Sequence, residues 1–395
     1  MIPKIVLKKR GINPCRFGSP WIFLQNIEYI PKNISAGQLV EVYDGYGKFI
    51  GKGFFSPSSS IPVRILSYEK DEEIDKDWFY KKIDSAIKLR KFHNLPNEET
   101  TGYRLINGEG DGLPGLIVDI YGDKAVIYFG TIGMKLREKL IIDILTSLLK
   151  IRSIFEVTSP GEQSKERIEA KPSLIRGSDP FPWYFKENGL ELWIELPQGQ
   201  KTGYYLDQRE NRLFIRNYVK DKEVLDLFTY TGGFALNAAL AKAKSVLAID
   251  SSMTALLHAE KHAYKNGLKD KIKFFKSEIK SFLQELVDQE KRFDFIIMDP
   301  PKLMTSQSSR ESALKGYRYL NSMAMRLIRP EGYLATCSCS GRLSLDEFLK
   351  TLGESAQLAK REIQVITIRG AGVDHPSPPG FKQGRYLKFV LLRIL

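Results

Sequence analysis

Hydrophobic positions along the chain follow two rhythms. Over residues 1–70 they come in short runs, "KIVLKK", "PWIFLQNIEYI", "QLVEVYD", "FIGKGFFS" and "PVRILS", cut by "GINP", "PKN", "DGYGK" and "SPSSS". Short apolar runs bounded by Gly, Pro, Asn and Ser predict strands joined by turns, and their close spacing predicts a small β-barrel. The acidic stretch "EKDEEIDKD" (69–77) predicts a linker or a solvated helix start. Phe79, Ile83, Ala86 and Ile87 then recur at helical spacing and predict a helix over 78–92. Strands with Gly- and Asp-rich turns are predicted over 103–129, a helix near 133–150 and a strand near 152–158, an α+β unit. The polar stretch 159–180 reads as a loop or linker.

From about residue 181 the second rhythm begins. After "LWIELPQGQKTGYYLDQRENR" the apolar runs "EVLDLF", "SVLAID", "KIKFF", "FDFIIMDP", "GYLATCS" and "EIQVITI" alternate with helical patterns over 233–242, 253–265, 279–290, 309–328 and 344–357, and "RYLKFVLLRIL" ends the chain. This alternation predicts an α/β fold, a mostly parallel sheet with helices on both faces. The expected domains are 1–70, 71–180 and 181–395. Ligands of such sheets sit outside the carboxyl ends of the strands.

Composition narrows the class. Apolar content of 43% and charged content of 27% in 395 residues are ordinary for a soluble protein. Three cysteines, an odd number, argue against a disulfide scaffold and for a reducing compartment. The start "MIPKIVLKKRG" lacks the apolar stretch of a signal peptide, and no run approaches the roughly 18 apolar residues of a membrane helix. The expectation is a cytoplasmic protein without a membrane partner. The net charge is +13, and residues 1–70 hold ten Lys/Arg against four Asp/Glu. Such a surplus suits a polyanion such as RNA; a generic basic surface is the plainer explanation.

The strand ends carry the candidate chemistry. In "VLDLFTYTGGFALNAALA" (224–241) a strand ends in Asp226 and Phe228, turns through Thr231, Gly232 and Gly233, and enters a helix. The glycines allow a tight turn and close ligand approach, but G-x-G-x-x-G is absent and a dinucleotide cradle is not supported. A strand-end carboxylate suits a cationic ligand. Asp250 closes the next strand, where an acid can bind ribose hydroxyls, and Glu278 follows the third, where it could face an adenine. Together these predict a nucleoside with a cationic group, for which S-adenosyl-L-methionine is the natural candidate. Taken singly, Asp226 could be a helix cap, the glycines a plain turn and Glu278 a helix-start acid.

Two further features reach the same rim. "MDPPK" holds Asp299 on a stiff exit, because each proline fixes its own φ and restrains its neighbour. "TCSCSG" sets Cys337 and Cys339 two residues apart, on the same side of a strand, where a disulfide between them is disfavoured. No metal cluster is expected, since a structural site usually needs about four ligands. The thiols are then buried filler, a redox accident or a nucleophile. A thiolate adding at C6 of a pyrimidine makes C5 reactive toward a sulfonium methyl, and a carboxyl such as Asp299 can share a proton at N3.

These motifs, with "RFGSPWIF", "GYYLDQRENR" (203–212) and "DHPSPPGFKQGRYLK" (374–388), resemble the PUA-domain-containing bacterial methyltransferases that form 5-methylcytosine in large-subunit ribosomal RNA. The resemblance covers essentially the whole chain. It implies an N-terminal PUA-like RNA-binding barrel, a middle α+β domain and a C-terminal Rossmann-like methyltransferase domain. It implies donor contacts from the Gly-Gly turn, Asp250 and Gln208, base recognition by Asp299, and Cys339 as nucleophile. Related enzymes use the cysteine of a T-C-S triplet, which here is Cys337. Those relatives also carry a second cysteine where Pro301-Lys302 stand here, so the base that removes the C5 proton is unassigned. Cys15 and His375 read as structural. Methylation of uracil C5 or of a guanine exocyclic amine, and a non-catalytic ribosome-assembly factor, are the competing readings; a homodimer is compatible with each.

Overall fold

Val40 and Val42 are fully enclosed while Leu39, Glu41 and Tyr43 are half-buried, and this period-two burial sets up the first sheet. The computed structural model describes residues 2–9, 18–159, 161, 165–196, 202–304 and 309–395; Cys15 lies outside them. The strands β1 (Lys4–Leu7), β2 (Trp21–Ile22), β3 (Ile27–Tyr29), β4 (Leu39–Tyr43), β5 (Phe49–Phe55) and β6 (Val63–Ser67) form a six-stranded sheet in the order β2-β6-β5-β4-β1-β3. Ile5, Ile22, Val42, Val63 and Ile65 fill its core. The run "PWIFLQNIEYI" is two strands, not one, because a 3-10 turn at Leu24–Asn26 intervenes and leaves Leu24 exposed.

Helix α1 (Lys76–Phe92) starts where Asp75 accepts from the Trp78 N–H and buries Phe79, Ile83, Ala86 and Ile87. It joins a five-stranded sheet of β7 (Gly102–Asn107), β8 (Leu116–Tyr121), β9 (Lys124–Phe129), β10 (Ser153–Glu156) and β11 (Ser173–Arg176), ordered β11-β10-β9-β8-β7. The helix predicted over 133–150 is two, α2 (Ile132–Lys135) and α3 (Glu138–Leu148). At the break Arg137 donates to the carbonyls of Gly133 at 2.8 Å and Gly37 at 3.1 Å and stacks 3.6 Å over Phe54. Strand β11 lies in the stretch expected to be loop. Its side chains are mostly exposed, so no apolar alternation announces it.

A two-stranded ribbon, β12 (Trp183–Glu187) and β13 (Leu190–Ile194), precedes the last sheet. There α4 (Arg209–Ile215), β14 (Glu223–Leu227), α5 (Gly233–Leu240), β15 (Ser245–Asp250), α6 (Met253–Lys265), β16 (Ile272–Lys276), α7 (Ile279–Asp288), β17 (Phe293–Met298), α8 (Arg310–Leu327), β18 (Ile328–Ser338), α9 (Leu345–Ala359), β19 (Ile363–Arg369) and β20 (Lys388–Ile394) follow in turn. The seven strands run β16-β15-β14-β17-β18-β20-β19. β16 through β18 are parallel, whereas β20 is antiparallel to both its neighbours. Leu225, Leu227, Ile296, Met298, Leu334 and Leu392 bury one face against α7, α8 and α9; each such side chain contributes roughly 1.5–3 kcal/mol.

The chain divides into two compact units. One comprises 1–186, 193–206 and 373–384; the other comprises 187–192, 207–372 and 385–395 and contains the seven-stranded sheet. In that sheet the chain winds outward from β14 to β16 and then returns to β17 on the opposite side of β14. This reversal is a topological switch point, and the crevice outside the carboxyl ends of β14 and β17 is where such sheets bind ligands.

Candidate active site at the ends of β14, β17 and β18

The turn after β14 is held in a sparsely populated conformation. Phe228 and Tyr230 adopt φ of 63° and 52°, and Gly232 of 83°; two of these three are non-glycine, a costly arrangement that tends to cluster at functional sites. Asp226, 1% exposed, braces the turn from inside, accepting from Thr229 Oγ1 at 2.5 Å and from the Ala235 N–H at 3.0 Å. Asp250 braces it from β15, accepting from the Tyr230 N–H at 2.8 Å and the Ser252 N–H at 2.9 Å. Burial raises the Asp226 carboxyl to about 7 against these hydrogen bonds, and the charges of Asp299 and Asp250 push the same way.

Whether this turn fits a nucleoside donor can be read from its atoms. Thr231 Oγ1 is buried and has no hydrogen-bond partner among the described residues. A Cβ on Gly232 would stand 3.1 Å from Ala259 Cβ, so the turn is at its steric limit. Asp250 retains acceptor capacity beyond its two backbone donors. Glu278 is exposed directly after β16, at the start of α7, with no side-chain cap bond, and Ser277 N–H donates to Asp250 O at 3.1 Å. An orphan hydroxyl, free carboxylate lone pairs and an uncommitted acid at successive strand ends fit such a donor.

Next to the turn lies a second cluster. Gln208 Nε2 donates to Asp299 Oδ2 at 2.9 Å and to Cys337 Sγ at 3.4 Å, while its Oε1 accepts from Asn211 Nδ2 at 2.7 Å. The amide is therefore committed to the Asp299–Cys337 side, not to the Gly-Gly turn. Helix α4 is anchored by Arg212, whose guanidinium grips Glu187 through two 2.6 Å bonds, and by Arg216, which donates to Asn237 Oδ1 at 2.8 Å.

The two cysteines have different environments. Cys337, inside β18, is fully buried opposite Phe389; burial and the Asp299 charge hold its thiol well above the usual range. Cys339 follows the strand, is only half-buried, and aims Sγ at the Pro300 carbonyl oxygen 4.0 Å away. Ser338 and Ser340, on the other side of the segment, both bond the buried Tyr317 hydroxyl, at 2.9 and 3.2 Å. Ser340 Oγ also accepts from the Met304 N–H at 3.3 Å, so the loops after β17 and β18 are stitched together. Tyr317 and the serines were not singled out from the sequence; the alternating Thr-Cys-Ser-Cys-Ser pattern was the available signal.

Outside this unit, His375 is buried and pairs through Nδ1 with Asp374 Oδ1 at 2.9 Å. Lys302 is exposed.

A mostly parallel sheet with a strained turn leading into Gly232 at its switch point, and acids on the following strand ends, suits an S-adenosylmethionine-dependent methyltransferase. Residues 162–364 match the S-adenosylmethionine-dependent methyltransferase family and residues 5–68 the PUA-like domain family. Ribosomal RNA large subunit methyltransferase I of Erwinia tasmaniensis is 35% identical over 397 residues, covering 100% of both chains; its counterpart in Vibrio cholerae is 35% identical over 399 residues, again 100% of both. The methyltransferase SMU.776, solved with SAH, shares the fold over 100% of both chains, with a TM-score of 0.86 at 20% identity. The chain belongs to the ribosomal RNA large subunit methyltransferase I family.

Proposed function

We propose that the protein methylates C5 of a cytosine in large-subunit ribosomal RNA, with Cys339 as nucleophile. The observation that carries this is the unequal pair of thiols: Cys339 is reachable and faces the Asp299-Pro300 turn, while Cys337 is sealed. The names of the 35%-identical relatives supply the substrate class, and the basic PUA-like segment supplies a surface suited to it.

The donor, S-adenosyl-L-methionine, supplies an electrophilic methyl on a sulfonium. Asp226, Phe228, Thr231, Gly232, Gly233, Asp250 and Glu278 are assigned to hold it, and Gln208 to position Asp299 between donor and base. The Cys339 thiolate adds to C6 of the cytosine, and Asp299 holds N3 with a proton as electron density moves through the ring. C5 takes the methyl group as its bond to the sulfonium sulfur breaks and S-adenosylhomocysteine is left; a base then removes the C5 proton, and the C6–S bond breaks to return the thiolate.

Nucleoside mass spectrometry of ribosomal RNA from a deletion strain tests the reading. 5-Methylcytidine should be lost from the large subunit and restored by the wild-type gene but not by Cys339→Ala. Loss of 5-methyluridine or of an N-methylguanosine instead would assign the other base, and no change in any nucleoside would overturn the enzyme's assignment to this RNA.

A further inference from the structure

Helix α6 turns Ala255, Leu256, Ala259, His262 and Ala263 inward. Its alanines, four residues apart, let the helix lie close to the turn after β14; a Cβ on Gly232 would stand 3.1 Å from that of Ala259. His262 comes one helical turn later on the same face. It is 1% exposed, and its Nδ1 lies 3.2 Å from the Thr231 carbonyl oxygen. A carbonyl oxygen only accepts, so Nδ1 carries the proton. An imidazole buried on an alanine face costs desolvation that a leucine in the same place would not incur. Volume alone does not call for histidine here; a donor aimed at the turn does.

We infer that His262 is a positioning residue for methyl-donor binding: it holds the Thr231–Gly232 peptide in the orientation the donor meets. This role rests on the donor lying against the turn, as proposed above. The N–H groups of the turn have other holders. Asp250 takes that of Tyr230 and Asp226 that of Ala235, while the Thr229 N–H donates to Ile249 O at 3.0 Å and the Gly232 N–H to Thr229 O at 2.9 Å. Carboxylates accept and cannot hold a carbonyl. Two carbonyls are taken from within α5, Gly232 O by the Leu236 N–H and Gly233 O by Asn237 Nδ2, both at 2.8 Å. His262 reaches Thr231 O from a different helix and ties the crest of the turn to α6. Thr231 stands between two residues of positive φ, Tyr230 and Gly232, a conformation that persists only where its surroundings enforce it. Thr231 also carries the buried Oγ1 that has no partner among the described residues, so the bond from His262 sets where that hydroxyl points.

The test reads donor binding without RNA, so its outcome is independent of the base modified and of Cys339. In His262→Asn the amide Nδ2 takes the place of Nδ1; in His262→Leu the volume is kept and the hydrogen-bond donor is lost. Titration calorimetry with S-adenosyl-L-methionine should show binding about tenfold weaker in His262→Leu, the size of a lost hydrogen bond that leaves a buried acceptor unpaired. Binding to His262→Asn should stay within about threefold of wild type. A histidine that only fills space would give the reverse order, because leucine fills the site better than asparagine. Equal affinities in the two variants, or the reverse order, overturn the inference. Gly232→Ala, titrated alongside, tests the turn itself. Weakened binding there with unchanged binding in His262→Leu overturns the role of His262 alone; full affinity in both removes the turn from the donor site and the inference with it. If His262→Leu does not fold, the wild type provides a second reading. In protein carrying 15N-labelled histidine, the His262 resonances, identified by their loss in His262→Asn, should report a protonated Nδ1 and shift as S-adenosyl-L-methionine is added. A bare Nδ1, or resonances that do not respond to the donor, overturns the inference.

Discussion

Gln208 and Asp299 are joined by a 2.9 Å hydrogen bond from Nε2 to Oδ2. The carboxylate receives a fixed donor, and the amide's other end is locked by Asn211, so the geometry of Asp299 is set before any base arrives. Gln208→Glu replaces that donor with a like charge. The expected result is a loss in kcat of about 100-fold, the size of removing one oriented donor, together with a lower melting temperature, because the buried cluster gains a like charge. Transfer from a radiolabelled methyl donor to ribosomal RNA measures it.

The cysteines should separate cleanly. Cys339→Ser removes the nucleophile and should reduce methyl transfer by roughly 10⁴-fold or more, as loss of a covalent catalyst does. Cys337→Ser places a hydroxyl of similar size beside Gln208 Nε2 and should keep activity within about tenfold. Denaturing gels of enzyme mixed with 5-fluorocytidine-containing RNA provide the direct readout. The trapped adduct should persist in Cys337→Ser and vanish in Cys339→Ser.

Much of this site was legible because its determinants are local. Strand-end acids, the Gly-Gly turn and Asp-Pro-Pro are read from neighbouring residues, and α6 runs Met253–Lys265 as the spacing predicts. What escaped depends on pairing between distant segments. That β20 inserts antiparallel between β18 and β19 follows from tertiary register, which periodicity does not carry. Lys388 could have been noticed as a charge interrupting an apolar run, but its partners lie 48 and 45 residues away. Gln208 bonds Asp299 and is held by Asn211, contacts that nothing in "LDQRENR" announces.

Asp226 predicts a pH dependence. Its carboxyl is raised to about 7 in the folded protein, against about 3.9 in an unfolded chain. Between these values the folded state binds more protons, so the Asp226 contribution to stability is full below about pH 4, declines as pH rises, and levels off above about 7. Urea denaturation should show this decline in the wild type and a flatter profile in Asp226→Asn. A sulfonium nearby would draw the carboxyl down, so binding of S-adenosyl-L-methionine near pH 7 should release protons. S-adenosylhomocysteine, which lacks the positive charge, should release fewer. Calorimetry in buffers of different ionisation enthalpy reports the difference.

Gly232 has both reasons to be glycine, a φ of +83° and a neighbouring methyl 3.1 Å from where a Cβ would stand. Gly232→Ala should cost about 1–2 kcal/mol from the left-handed backbone alone. Because the turn carries Thr231 as well, donor affinity should fall together with stability. Titration calorimetry and a melting curve on the same preparation check both; a stable variant with full donor affinity would remove this turn from the binding site.

The barrel's exposed lysines provide a test of RNA contact that is separate from catalysis. Lys4 lies 5.2 Å from the Tyr43 ring centroid and Lys9 lies 6.0 Å from that of Tyr46, and Lys48 is exposed on the same turn as Tyr46. Cations interleaved with aromatic faces suit a strand that offers both phosphates and bases. If these three lysines each neutralise a phosphate, replacing them with alanine should reduce the slope of log K against log salt by roughly two, at about 0.7 per single-strand contact. Fluorescence anisotropy with a large-subunit RNA fragment between 50 and 200 mM salt gives both slopes. An unchanged slope in the triple variant would move the RNA contact off this face of the barrel, while leaving the assignment of Cys339 and Asp299 untouched, because neither residue belongs to the barrel.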